Sequence, residues 1–244
     1  MKRILINPII LILLFAAAGI LFLLIPLKPK AEWDSSSETR IITIGYRGEV
    51  DYNYIHNVQV WGDGHIVWVE HDLNGNRQVL EGNLSEGEMA DLISRFIEAD
   101  FFEGYQRFDW DFDFGKYINI NLLNINHDVT EVDKTYQSIG NLISFLESGA
   151  GAKATDFIPT TGKLIVYTRE EVKLSNLEAK YQWPDDKFGY GLESVHNNKP
   201  HNEIHISGEE LAFAWEIVNT HTPLVESNDE VYWIAVMVPK ISLF

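Results

Sequence analysis

The sequence predicts an α+β protein, with mostly antiparallel sheets and packed amphipathic helices, preceded by a single N-terminal transmembrane helix. Three observations carry this. Pro8 to Leu27 (PIILILLFAAAGILFLLIPL) holds no charged side chain and has about the length a helix needs to cross a hydrocarbon core. Beyond it, short apolar runs alternate in period two and break at Gly- and Asn-containing turns, as hairpins do. Between those runs, apolar residues recur at steps of three and four, as on amphipathic helices.

The anchor comes first, at residues 1–30. Lys2 and Arg3 precede the apolar run, and Lys28 and Lys30 follow it. A cleaved signal peptide has a shorter apolar region and a small-residue cleavage site. Ala16, Ala17 and Ala18 offer small residues, but cutting there leaves ILFLLIPL on the mature terminus. An uncleaved signal anchor is therefore expected, with the amino terminus inside and the body outside. Residues 31–40 (AEWDSSSETR) read as a solvated tether.

Charge and cysteine content exclude several classes. No cysteine means no disulfide, thiolate zinc site, iron–sulfur cluster or cysteine nucleophile. Acids outnumber bases 36 to 19, which argues against nucleic acid as a partner. With the four basic residues of the anchor set aside, fifteen bases face thirty-six acids, a net of −21. Such a body is repelled by anionic lipid and attracted to basic partners, a basic envelope protein among them, although solubility alone also accounts for the charge.

The body divides into an α+β domain at 41–150 and a second subdomain or continuation at 151–244. Order should begin near Ile41. Val58, Val60, Ile66 and Trp68 alternate around Gly62-Asp63-Gly64, a hairpin signal. A second turn at Asn74-Gly75-Asn76 leads into a third strand, Gln78 to Leu84. Ser85 and Glu88 have capping-box spacing, and Met89, Leu92, Ile93, Phe96 and Ile97 form one helical stripe. Tyr117 to Val132 reads as two strands with a turn within Asn124–Asp128. Ile139, Leu142, Ile143 and Leu146 mark a second helix, capped by Gly149. Gly149–Ala152 is the candidate boundary.

Beyond that boundary, Lys163 to Thr168 and Glu203 to Ile206 read as strands. Glu170 to Asn198 gives no clear period, with Trp183-Pro184 closing one element. Ser207 and Glu210 repeat the capping-box spacing ahead of Leu211, Ala214, Trp215 and Val218. Val231 to Val238 (VYWIAVMV) is continuous enough for a central strand. Trp68, Trp215 and Trp233 fall on apolar patterns and read as core.

The order of elements is that of an Asp63-Gly64 hairpin, a third strand, an amphipathic helix, Phe101-Phe102, the acidic stretch Asp109–Asp113, two strands and a helix. Over about residues 50–148 it resembles an uncharacterised bacterial domain of unknown function, found in secreted and membrane-anchored proteins. The resemblance implies an envelope location and an α+β fold. It brings no activity and no site residues.

Two groups of residues invite a chemical reading. Arg107 to Phe114 (RFDWDFDF) alternates Asp109, Asp111 and Asp113 with aromatics. A calcium loop fails on spacing, since Phe114 stands where an EF-hand needs glycine and Ile120 where it needs glutamate. An extended, ion-free segment with aromatics inward fits better. His196, His201 and His205 cluster late in the chain. On a helix, His201 and His205 would share a face, but Pro200, the flanking isoleucines and Gly208 indicate a strand. Four strand residues span about 13 Å, too far for one ion.

No nucleophile elbow, Ser-x-x-Lys or phosphate loop is present in the sequence. No cofactor and no catalytic residue is expected. The reading is a membrane-anchored extracytoplasmic binding module, held to the membrane by its N-terminal helix. The alternative is a metal-assisted hydrolase using the late histidines.

Overall fold

The computed structural model describes residues 32–47, 56–102, 115–130, 137–173, 178–198, 201–220 and 222–241. The apolar run 8–27 and the Asp109, Asp111 and Asp113 segment lie outside them. Among the described residues, no helix is long and apolar enough to cross a membrane. Residues 32–244 form one compact α+β unit with two sheets, mostly antiparallel.

The first sheet has strands β1 (Arg40–Arg47), β2 (Val58–Trp61), β3 (His65–His71), β4 (Arg77–Asn83), β5 (Gly115–Asn121), β6 (Asn126–Thr130) and β7 (Thr155–Asp156). Their order is β6-β5-β1-β2-β3-β4-β7, every pairing antiparallel. Period two gives this sheet two different faces. One carries Ile42, Ile44, Val58, Val60, Ile66, Trp68, Ile118 and Ile120, all at most 1% exposed.

Helix α1 (Glu86–Glu98) and helix α2 (Gln137–Glu147) serve this face. The stripe Met89, Leu92, Ile93 and Phe96 of α1 is buried as its spacing requires. Phe101, at the exit of α1, meets Phe96 and the ring of His127 on β6 edge to face. The α1 capping box is complete. Glu88 N–H donates to Ser85 Oγ at 3.3 Å, and Ser85 N–H donates to Glu88 Oε2 at 2.7 Å.

The second sheet has β8 (Thr161–Thr168), β9 (Tyr181–Gln182), β10 (Glu203–Ser207), β11 (Leu224–Ser227) and β12 (Glu230–Met237), ordered β10-β8-β12-β11-β9. The apolar run VYWIAVMV thus lies between two partners, and only β11 and β9 pair parallel. Helices α3 (Asp185–Phe188), α4 (Leu192–His196) and α5 (Gly208–Val218) complete this half. Leu164, Val166, Ile234 and Val236 share a core with Leu192, Val195, Leu211, Ala214 and Val218. Trp61, Val67 and Val79, from the second face of the first sheet, belong to the same core.

Several expectations are corrected. Residues 32–39, read as a solvated tether, are largely exposed but are hydrogen-bonded to the body. Asp34 accepts from Ser36 N–H and Thr39 Oγ1, Trp33 Nε1 donates to Gly62 O at 3.1 Å, and Gly62 N–H donates to Thr39 O. Short polar side chains close local turns, which makes the stretch polar without making it loose. The β5–β6 turn falls at Leu122–Ile125, two residues before its expected start, closed by Leu122 N–H to Ile125 O at 2.7 Å.

Gly149 follows α2 in the left-handed region at φ +81, and Gly149 and Ala150 are buried while Gly151 is exposed. A Cβ on Gly149 would lie 2.6 Å from the Trp68 ring. After it, β7 returns to pair with β4. The second capping box does not form. Ser207 makes no side-chain cap bond, because Gly208 enters the helix at φ +58 and turns the chain away. Trp68 and Trp215 are buried, while Trp233 is only half-buried. The strand Leu224–Ser227 and the short helices α3 and α4 carry too few residues to show a period.

Candidate functional site

A polar cluster at β1, β5 and the entry to β2 holds a strongly perturbed histidine. Residues Ile41 to Ile44 of β1 are all β-branched, Gly45 follows them, and the register sets Gly45 opposite Tyr117. A Cβ on Gly45 would lie 2.9 Å from both His56 Nδ1 and Tyr117 Cε1. The missing side chain leaves the space in which the Tyr117 hydroxyl and His56 Nδ1 share a hydrogen bond of 2.8 Å.

Both rings are buried, His56 at 5% and Tyr117 at 9% exposed. Burial pushes the His56 pKa down to about 4, and the nearby Arg40 charge lowers it further. Arg40 itself is tied down by a bond from Nη2 to Lys240 O at 2.8 Å. Beside it, Gln59 is wholly buried and donates from Nε2 to Ile241 O at 2.6 Å. The ring of His56 is therefore neutral at physiological pH, and its hydrogen bond fastens the segment entering β2 to β5. With neither ring open to solvent, the arrangement acts as an internal polar lock.

A second polar group joins the short helices to β11. Ser227, 0% exposed, donates from Oγ to Asp185 Oδ1 at 2.8 Å and accepts from Leu192 N–H at 3.0 Å. The hydroxyl is satisfied on both sides and sealed from solvent, so it holds α3 and α4 in place and is no nucleophile. Tyr232 donates to Glu230 Oε2 at 2.8 Å. Burial raises its pKa, and the bond to Glu230 adds to the rise.

The late histidines are not gathered. His196 ends α4 on the core face of the second sheet. Its Nδ1 lies 3.3 Å from Val166 O and 3.6 Å from Glu171 Oε2, and its ring is 6.4 Å from that of Tyr232. Glu171 is already engaged by Thr168, whose N–H donates to Oε2 at 2.7 Å. His205 sits on β10 opposite Lys163, on the other face from Ile204 and Ile206, and is exposed. The sheet therefore stands between His196 and His205. His201 lies in the exposed turn before β10. Among the described residues, no three His, Asp or Glu side chains form a group able to hold a metal ion.

The sequence reading missed His56, Tyr117 and Arg40. Their one local signal is Gly45, a glycine inside an otherwise strong strand. His56 and Tyr117 are 61 positions apart and meet only through sheet order.

Compared with known proteins, the chain matches no family model, no curated protein and no solved structure. The likeness in element order over residues 50–148 therefore assigns it to no family.

Proposed function

We propose that the protein is a membrane-anchored, extracytoplasmic binding module of the bacterial envelope, held by an N-terminal helix and directed at a basic protein partner. The observation that carries the proposal is the uncharged run Pro8–Leu27 joined to a body of net charge −21. Twenty apolar residues suit a bilayer core, and a strongly acidic body attracts cations and repels anionic lipid.

Strand geometry supports the binding half of the reading. The C-terminal ends of β1 and β6 and the N-terminal ends of β2 and β5 share one end of the first sheet. The connections 48–55, 103–114 and 131–136 each join that end, and together they carry eight acids against two bases.

Full-length protein solubilised from membranes and incubated with envelope extract should retain a basic protein at low salt and release it at high salt. Exchange of Asp109, Asp111 and Asp113 for Asn should weaken the capture. A retained set unchanged by salt and by these substitutions would contradict a charge-driven partner.

A further inference from the structure

We infer that the β5–β6 hairpin tip, with Leu123 at its apex, seats in the lipid headgroup interface of the leaflet through which the chain emerges. The inference rests on the proposed N-terminal anchor.

Leu123 is 62% exposed, although it is a large aliphatic residue. Its N–H donates to Glu32 O at 2.9 Å, so the tip is bonded to the first described residue of the body. Only Lys28, Pro29, Lys30 and Ala31 stand between Leu27 and Glu32. Five residue steps span about 18 Å at full extension, and the headgroup region is about 5–7 Å deep in each leaflet. A tip bonded to Glu32 is therefore within reach of the interface.

The chemistry of the tip matches that position. Tyr117 to Asn126 (YININLLNIN) has no charged side chain, in a chain of net charge −17. Glu32 beside the tip is exposed, and the next two acids along the chain are engaged. Glu38 pairs with Lys240 at 2.6 Å, and both Asp34 oxygens accept hydrogen bonds within the 32–39 turn. The opposite end of the same sheet differs. There Leu73 is fully exposed at the β3–β4 turn, flanked by Glu70 and Asp72. An uncharged tip tolerates lipid contact, and an acidic one does not.

The absence of cysteine allows single-site labelling of the intact protein. Full-length Leu123→Cys and Leu73→Cys variants, each carrying a nitroxide, are reconstituted into phosphatidylethanolamine–phosphatidylglycerol vesicles and recovered by flotation. Near-UV circular dichroism confirms that each variant is folded. The oxygen-to-aqueous-nickel accessibility ratio should be several-fold higher at position 123 than at 73. Equal ratios on floated protein would overturn the inference and leave the anchor standing. Failure to float would remove the anchor, and the inference with it.

Discussion

His56 is a base whose neutrality the fold requires, and that requirement has a sign. In the folded protein its pKa is pushed down to about 4, by burial first and by Arg40 second. The unfolded chain restores it to about 6.5. Above pH 6.5 the ring is neutral in both states, and its contribution to stability is fully present. As pH falls through 6.5, the unfolded chain takes up a proton that the folded chain refuses. Stability then declines until both states are protonated, below about pH 4, a loss of up to about 3 kcal/mol. Burial lowers the His127 pKa as well, so it adds to the same slope. Urea unfolding of wild type and His56→Gln from pH 8 to 4.5 separates the two. The variant should be less stable at pH 8 and flatter toward acid; parallel curves would mean that His56 is not held neutral. None of this was legible in the local sequence except through Gly45, because the lock forms between residues brought together by strand order.

At the scale of elements, the sequence spoke clearly where the interaction is local. The Ser85–Glu88 box, the α1 stripe, the Asp63-Gly64 hairpin and the left-handed Gly149 after α2 are each set by residues within one or two turns of one another. The second Ser-x-x-Glu shows where local spacing stops being enough. Ser207 and Glu210 stand at the same separation as Ser85 and Glu88, yet the left-handed Gly208 takes the hydroxyl out of reach. Glu210 is half-buried, and burial raises its pKa. The two serines should therefore respond differently. Ser85→Ala should cost about 1 kcal/mol in chemical denaturation, and Ser207→Ala should stay within about 0.5 kcal/mol. Equal losses would mean that Ser207 caps α5 after all. The hydrogen bonding of residues 32–39 to the body was illegible for a related reason. A run of Ser, Asp and Glu looks solvated, and only the approach of Gly62 and Leu123 shows that its backbone is engaged.

At the scale of the molecule, the fold class follows from local patterns, but the sharing of one core across residue 150 does not. Trp61, Val67 and Val79 pack with residues as distant as Ile241, and β7 returns to β4. Arg40 and Gln59 bond to the carbonyls of Lys240 and Ile241. Such contacts join positions some 180 to 200 apart, beyond any periodicity in the sequence. The body should accordingly unfold in a single cooperative step, with tryptophan fluorescence and far-UV circular dichroism coinciding. Two separated transitions would show that the halves are independent.

The central claim is that this body stands outside the membrane on an uncleaved helix. Its most direct test uses Leu73→Cys, the sole thiol on the chain and fully exposed at the β3–β4 turn. In intact spheroplasts, a membrane-impermeant maleimide should label this variant as fully as after lysis. The labelled protein should stay in the membrane pellet through an alkaline wash and keep its original amino terminus. Labelling that appears only after lysis, or a labelled protein released by the wash, would contradict the account.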